Sequence, residues 1–334
     1  MTNAPSSTRT DRWQVVAALG AIYLIWGSTY LAIRFAIDTM PPILMAGVRF
    51  AVAGVLLLVW ARARGARWPS LKHWRGGLIV GGLLLFAGNG GVVLGEGLIP
   101  TGTVALLVGS VPLWMALLSW LQPGGTRPSL PVAIGLLFGF AGVALLIAPT
   151  PGAGAQAIKP LGIAIVLGAA ICWAIGSLYS RGKVMHSDPI MATATEMLGG
   201  GALLLVAATV TGEWGTLHLA AISTRSWLAV AYLIVFGSLV GFTCYTWLLR
   251  NTPASVAATY AYVNPLVAVF LGWALIGEPV TARTLLAALV IITGVVIITT
   301  FQVRGRLGRR PQHASALASE PPREPALAAG PSRP

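Results

Sequence analysis

Apolar residues in this chain come in stretches of about twenty, the length a helix needs to cross the hydrocarbon core of a bilayer. Ten such stretches are expected, at 14–34, 43–61, 77–95, 101–121, 131–149, 160–180, 190–211, 227–249, 254–277 and 283–301. The pattern predicts an all-α membrane protein with ten transmembrane helices. Residues 1–13 would precede the first helix, 14–149 and 160–301 would hold five helices each, and 150–159 would link them. The tail at 302–334 is rich in Arg, Pro, Ala and Ser and lacks apolar periodicity, so it is expected to be disordered.

The two five-helix units are copies of one another. Pro100 and Pro112 lie twelve residues apart with Trp120 eight residues on; Pro253, Pro265 and Trp273 repeat that spacing. Trp26-Gly27-Ser28-Thr29-Tyr30 recurs as Trp173 followed by Gly176-Ser177-Leu178-Tyr179, and Pro42-Ile43 recurs as Pro189-Ile190, at offsets between 147 and 153. An odd number of helices per copy forces the second copy to enter the membrane inverted. Charge agrees: the 62–76 connection carries Arg62, Arg64, Arg67, Lys72 and Arg75, whereas its counterpart at 212–226 carries Arg225 and Glu213. An inverted apolar repeat is the architecture of many secondary transporters.

Composition supports lipid as the solvent. Mean hydropathy is +0.80, and 9% of residues are charged, against about a quarter in soluble proteins. A net charge of +13 could indicate nucleic acid, but the cations are one-sided. With the N-terminus inside, 17 of the 22 basic residues fall in cytoplasmic segments, which places both termini in the cytoplasm. The clusters therefore read as orientation signals and lipid contacts, with no nucleic-acid partner expected. The first stretch is too long for a cleaved signal and lacks a small-residue cleavage site. Cys172 and Cys244 lie inside spans without CxxC spacing, so no disulfide is expected.

Candidate chemistry lies where polar groups enter the spans. Pro112 and Pro265 are expected as mid-span helix breaks, since proline leaves the carbonyl four residues back without its donor. Trp26, Ser28, Asn89, Trp173, Ser177, Tyr245, Tyr260 and Asn264 are the candidate cavity residues. Tyr30 and Tyr179 are read as interfacial anchors. Ionisable groups within spans are costly and carry the sharpest signal. Arg49 and Glu196 occupy equivalent positions, but inversion puts each about 9 Å from opposite surfaces at about 1.5 Å per residue, too far apart to pair. Arg49 with Glu96, and Glu196 with Arg250, are the expected ion pairs, either as alternating gates or as static supports. Glu196 is also the candidate for proton coupling.

Enzyme motifs are missing. His73, His186, His218 and His313 lie in connections or the tail, without metal-ligand spacing or a phosphate loop. No catalytic residue, cofactor or metal is expected. A secondary transporter of small molecules, exporting rather than importing, accounts for the pattern best. A passive channel or scaffold is the alternative, and a membrane-embedded enzyme ranks below both.

Ile25-Trp26-Gly27-Ser28-Thr29-Tyr30, Pro41-Pro42 to Gly47-Val48-Arg49-Phe50, Gly88-Asn89-Gly90, Glu196-Met197-Leu198, Phe236-Gly237-Ser238, Tyr260-Ala261-Tyr262-Val263-Asn264-Pro265 and Gly277-Glu278 occur in that order. In this combination residues 14–301 resemble the bacterial EamA-domain transporters of the drug/metabolite transporter superfamily, in particular the YedA-like inner-membrane permeases. The resemblance implies two EamA repeats, a multi-pass inner-membrane address, and export of small metabolites or drugs through a central cavity; a cavity lined by Trp and Tyr with few charges suits amino acids or aromatic metabolites. It further implies that the first, third, fourth, sixth, eighth and ninth helices line the cavity while the fifth and tenth stay peripheral.

Overall fold

The computed structural model describes residues 12–123, 125, 127–148, 159–180, 185–252 and 259–307. Among them every regular element is helical. The helices are α1 (Arg12–Ile37), α2 (Pro42–Ala63), α3 (Leu71–Gly81, continued by Gly82–Asn89 and Gly90–Glu96), α4 (Thr101–Val108), α5 (Val111–Leu121) and α6 (Leu130–Ile147) in the first copy. The second copy holds α7 (Pro160–Tyr179), α8 (Pro189–Val210), α9 (Thr224–Tyr232, Leu233–Val240 and Gly241–Asn251), α10 (Tyr260–Ile276) and α11 (Ala282–Leu307). Taking α4 and α5 as one segment, eight are long and apolar enough to span a bilayer; the apolar stretches of α10 and α11, Val263–Ile276 and Ala282–Ile298, are shorter. The linker at 149–158, the start of the ninth stretch at 253–258 and the tail from 308 lie outside the described residues.

Equivalent helices of the two copies run antiparallel. A methyl group built on Gly47 would meet Leu205, one on Gly54 would meet Leu198, and one on Gly201 would meet Ala51, so α2 ascends as α8 descends. The same reversal holds for α6 with α11, where Gly135 faces Ile298, Gly139 faces Gly294 and Gly142 faces Ile291. It holds again for α4 with α10, where Gly102 faces Val269 and Gly109 faces Pro265. These approaches explain the glycine content: in lipid there is no hydrophobic drive between helices, and close packing of backbones has to substitute for it.

Around these contacts the helices sort into two bundles, each drawing on both copies. α1 packs on α9 and α10, and α2 on the middle of α9; equivalently α7 packs on α3, α4 and α5, and α8 on α3. The pair α6 and α11 packs together to one side.

Both third helices of the copies carry a wide π-helical stretch at matching positions, Gly82–Asn89 in α3 and Leu233–Val240 in α9. Such stretches shift side chains out of the ordinary α-helical register and cluster at functional sites. The proline breaks differ from expectation. Pro265 lies inside α10, but Pro112 sits in the first turn of α5, where a missing N–H is not needed. The break itself is made by Gly109 and Ser110, between α4 and α5.

A repeated Gly-Glu device joins the bundles at one face. Gly212 and Gly277 end their segments with positive φ, 75° and 67°, a conformation open to glycine without strain. The glutamate that follows each then turns across the interface. Glu213 accepts from the backbone N–H of Leu44 (2.7 Å) and Ile43 (3.3 Å) at the start of α2. Glu278 accepts from Thr101 N (2.7 Å) and Gly102 N (3.1 Å) at the start of α4. Each carboxylate satisfies orphan donors and meets the positive end of a helix. Arg34 adds a third link between the bundles, its Nη1 donating to Glu96 O at 2.7 Å. At this face α1 and α2 also touch Gly90–Glu96, and α1 touches α4; at the opposite face the equivalent helices meet sparingly among the described residues.

Replacing Gly294 by Ala would place a methyl carbon 2.5 Å from Gly139 N and 2.6 Å from Gly135 O, atoms that cannot move aside. We expect a loss of about 1–3 kcal/mol, read as a lowered thermal midpoint of the detergent-purified full chain. Gly168→Ala, which meets nothing within 4 Å, should leave the midpoint unchanged or raise it. Equal losses at the two positions would contradict the close-approach account. Glu213→Ala should cost about 0.5–2 kcal/mol by the same measurement.

Candidate functional site

A cavity lies between the two bundles, enclosing about 740 Å³ with its mouth included. Trp26, Thr29, Tyr30 and Ile33 of α1 form one wall, with Phe242 of α9 and Tyr260 and Asn264 of α10 beside them. Asn89 and Val92 of α3, the α4–α5 break and Trp173 of α7 face them. Arg49 of α2 also lines the cavity. The helices that the resemblance assigns to the wall are all represented. The second is an addition through Arg49, and α6 and α11 contribute no described lining residue.

The aromatic corner is built around Trp26. Its ring meets Phe242 at 5.4 Å and Tyr260 at 5.0 Å, both edge to face, the geometry that ring quadrupoles favour. Tyr245 stands behind the wall, 5.2 Å from Trp26 and 5.7 Å from Tyr260. The indole Nε1 donates to Gly237 O at 3.1 Å, inside the wide stretch of α9. Gly241 makes room for it, since a methyl there would stand 2.3 Å from Nε1. Trp173 of α7 lies against Gly88 of α3 in the other bundle.

The polar groups of the cavity are incompletely satisfied. Arg49 is 2% exposed; its Nε donates to Ser238 Oγ at 3.1 Å and its guanidinium lies 4.7 Å from the centre of the Phe50 ring. Its Nη1, together with Asn89 Oδ1 and Asn264 Oδ1, has no hydrogen-bond partner among the described residues. Leaving such atoms unpaired away from water costs about 1–3 kcal/mol each, a cost that a hydrogen-bonding guest in the cavity removes.

Several sequence candidates lie elsewhere. Ser28 turns away from the cavity wall: its Oγ bonds Leu24 O at 2.7 Å and Tyr232 OH at 2.7 Å. Ser177 and Pro112 are also absent from the described lining. The expected pair of Arg49 with Glu96 is not formed. Glu96 is fully buried, with Oε2 accepting from Thr101 Oγ1 at 2.8 Å and Oε1 without a partner among the described residues. Glu196 likewise leaves Oε1 without a partner among the described side chains, outside the described cavity lining, and the side chain of Arg250, expected beside it, is not among those described. Tyr30, read as an interfacial anchor, lines the cavity; Thr29 and Phe242 were not singled out. Helical periodicity accounts for α1: Trp26, Thr29, Tyr30 and Ile33 follow i, i+3, i+4, i+7, a face from which Ser28 is excluded.

Comparison with known proteins follows the same division of the chain. The model of the EamA-like transporter family matches twice, at residues 12–148 and 160–300. The chain is 40% identical over 283 residues to the Escherichia coli (strain K12) protein named uncharacterized inner membrane transporter YedA, covering 84% of this chain and 89% of that one. It is 29% identical over 283 residues to the Bacillus subtilis (strain 168) uncharacterized transporter YvbV, covering 84% and 90%. A crystal structure described only as that of a protein shares the fold, with a TM-score of 0.61 at 21% identity over 88% of this chain and 99% of that chain. The double match and the extent of the similarity make this chain a member of the EamA-like transporter family, a membrane transporter built from two repeats.

Proposed function

We propose that the chain is a secondary transporter that exports small metabolites, amino acids or drugs by alternating access. In this reading it crosses the bacterial inner membrane ten times, with both termini and the Arg-rich connections in the cytoplasm. The face joined by Glu213, Glu278 and Arg34 is then the outer one. The observation that carries the reading is the asymmetry of a near-symmetric molecule. Two bundles related by inverted repeats enclose one cavity and, among the described residues, are joined by hydrogen bonds at one end, while a long-range bond toward the other end, Tyr23 OH to Thr259 Oγ1 at 2.5 Å, stays within a bundle. Exchanging the conformations of the copies would release the outer links and close the inner end. A passive channel has no need of such an exchange.

The test places one cysteine at Thr29 in a Cys172→Ser, Cys244→Ser background and labels it with a membrane-impermeant maleimide. Labelling is expected mainly from the cytoplasmic side. Glu278→Ala, which removes both bonds to the start of α4, should raise labelling from the outer side several-fold. Equal rates from both sides in both backgrounds would indicate a channel and contradict alternating access.

A further inference from the structure

We propose that the central cavity takes an organic carboxylate, a monoanion with an aromatic or apolar body, and that Arg49 is its anion subsite. The inference rests on the transport cavity described above and names its substrate class. Arg49 is the one charged side chain among the described residues of the lining. Burial of a guanidinium without a counter-charge is costly, and no described carboxylate forms an ion pair with it. The buried or bonded carboxylates lie elsewhere: Glu213 and Glu278 bond to helix starts, Glu96 turns Oε2 to Thr101, and neither Glu96 nor Glu196 is among the described residues of the lining. The bond from Nε to Ser238 fixes the plane of the guanidinium and leaves Nη1 without a partner among the described residues.

A fixed guanidinium edge matches a carboxylate in shape as well as charge. One cation balances one anion, which favours a monocarboxylate over a phosphate dianion. An amine finds no carboxylate in the described lining. Trp26, Tyr260 and Trp173 supply faces for an apolar body, and the bare Oδ1 atoms of Asn89 and Asn264 accept from any N–H or O–H that the molecule carries.

The experiment titrates the full chain in lipid nanodiscs with phenylacetate, phenylacetamide and phenethylamine, following intrinsic tryptophan fluorescence at constant ionic strength. These probes share a body and differ in charge. Phenylacetate should bind at least tenfold more tightly than the amide, and phenethylamine most weakly. Arg49→Gln should abolish the preference, bringing phenylacetate down to the affinity of the amide, and Arg49→Lys should retain part of it. Because Arg49 also holds α2 to α9, Asn264→Asp provides a second variant: a fixed anion in the same cavity should weaken phenylacetate at least tenfold. No binding, equal binding of all three, a preference for the amine, or an anion preference that survives both Arg49→Gln and Asn264→Asp overturns the subsite. Counterflow in proteoliposomes separates the two claims. Arg49-dependent carboxylate binding without counterflow keeps the subsite and removes transport, whereas counterflow of phenethylamine without carboxylate preference keeps transport and removes the subsite.

Discussion

Close backbone approach between antiparallel equivalents is the constraint on which the rest of this structure depends. Lipid tails solvate leucine as well as another helix does, so association has to come from contact geometry and hydrogen bonds. The glycines of α2, α6, α8 and α11 supply that contact where the two copies cross. Because the crossings pair like with inverted like, they set the pseudo-twofold relation between the bundles. A cavity between two related bundles follows from the same relation.

Symmetry stops at the ends. Gly212-Glu213 and Gly277-Glu278 both belong to the second copy and both cap helices of the first. The corresponding turn after α2 has Gly65 in the same left-handed conformation, with φ of 84°, but Ala66 follows it. A left-handed glycine alone turns the chain; the carboxylate after it makes the link. One residue of difference at equivalent turns thus biases which end is tied together. The wide stretches of α3 and α9 carry Asn89 and Ser238, one left partly unpaired in the cavity wall and the other holding Arg49.

Much of this was legible in the sequence. Segments of about twenty apolar residues, the spacing of Pro100 and Pro112 against Pro253 and Pro265, and the reversal of charge between connections lead to the helical stretches and their duplication. Trp26, Asn89, Trp173, Tyr260 and Asn264 were visible because polar and aromatic groups deep in a span require protein or water around them. The orientation of neighbours was harder to read. Ser28 and Thr29 differ by about 100° on a helix, so only one of them can share the face of Trp26. The ion pair of Arg49 with Glu96 was inferred from depth alone, and depth carries no azimuth: each residue turns to a hydroxyl instead. The wide stretches leave no recognisable residue signature, and without them the register of α9 around Gly237 is displaced.

The central claim is that two bundles pivot about glycine-lined crossings so that the cavity opens at one end as it closes at the other. The most direct measurement is a pair of spin-label distances across the bundles, one at each end: positions 161 and 228 at the end tied by Glu278, and positions 13 and 78 at the opposite end. All four side chains are exposed. The account predicts two populations, with the 161–228 distance lengthening as the 13–78 distance shortens. A single population at both ends, or two distances that lengthen together, would contradict it.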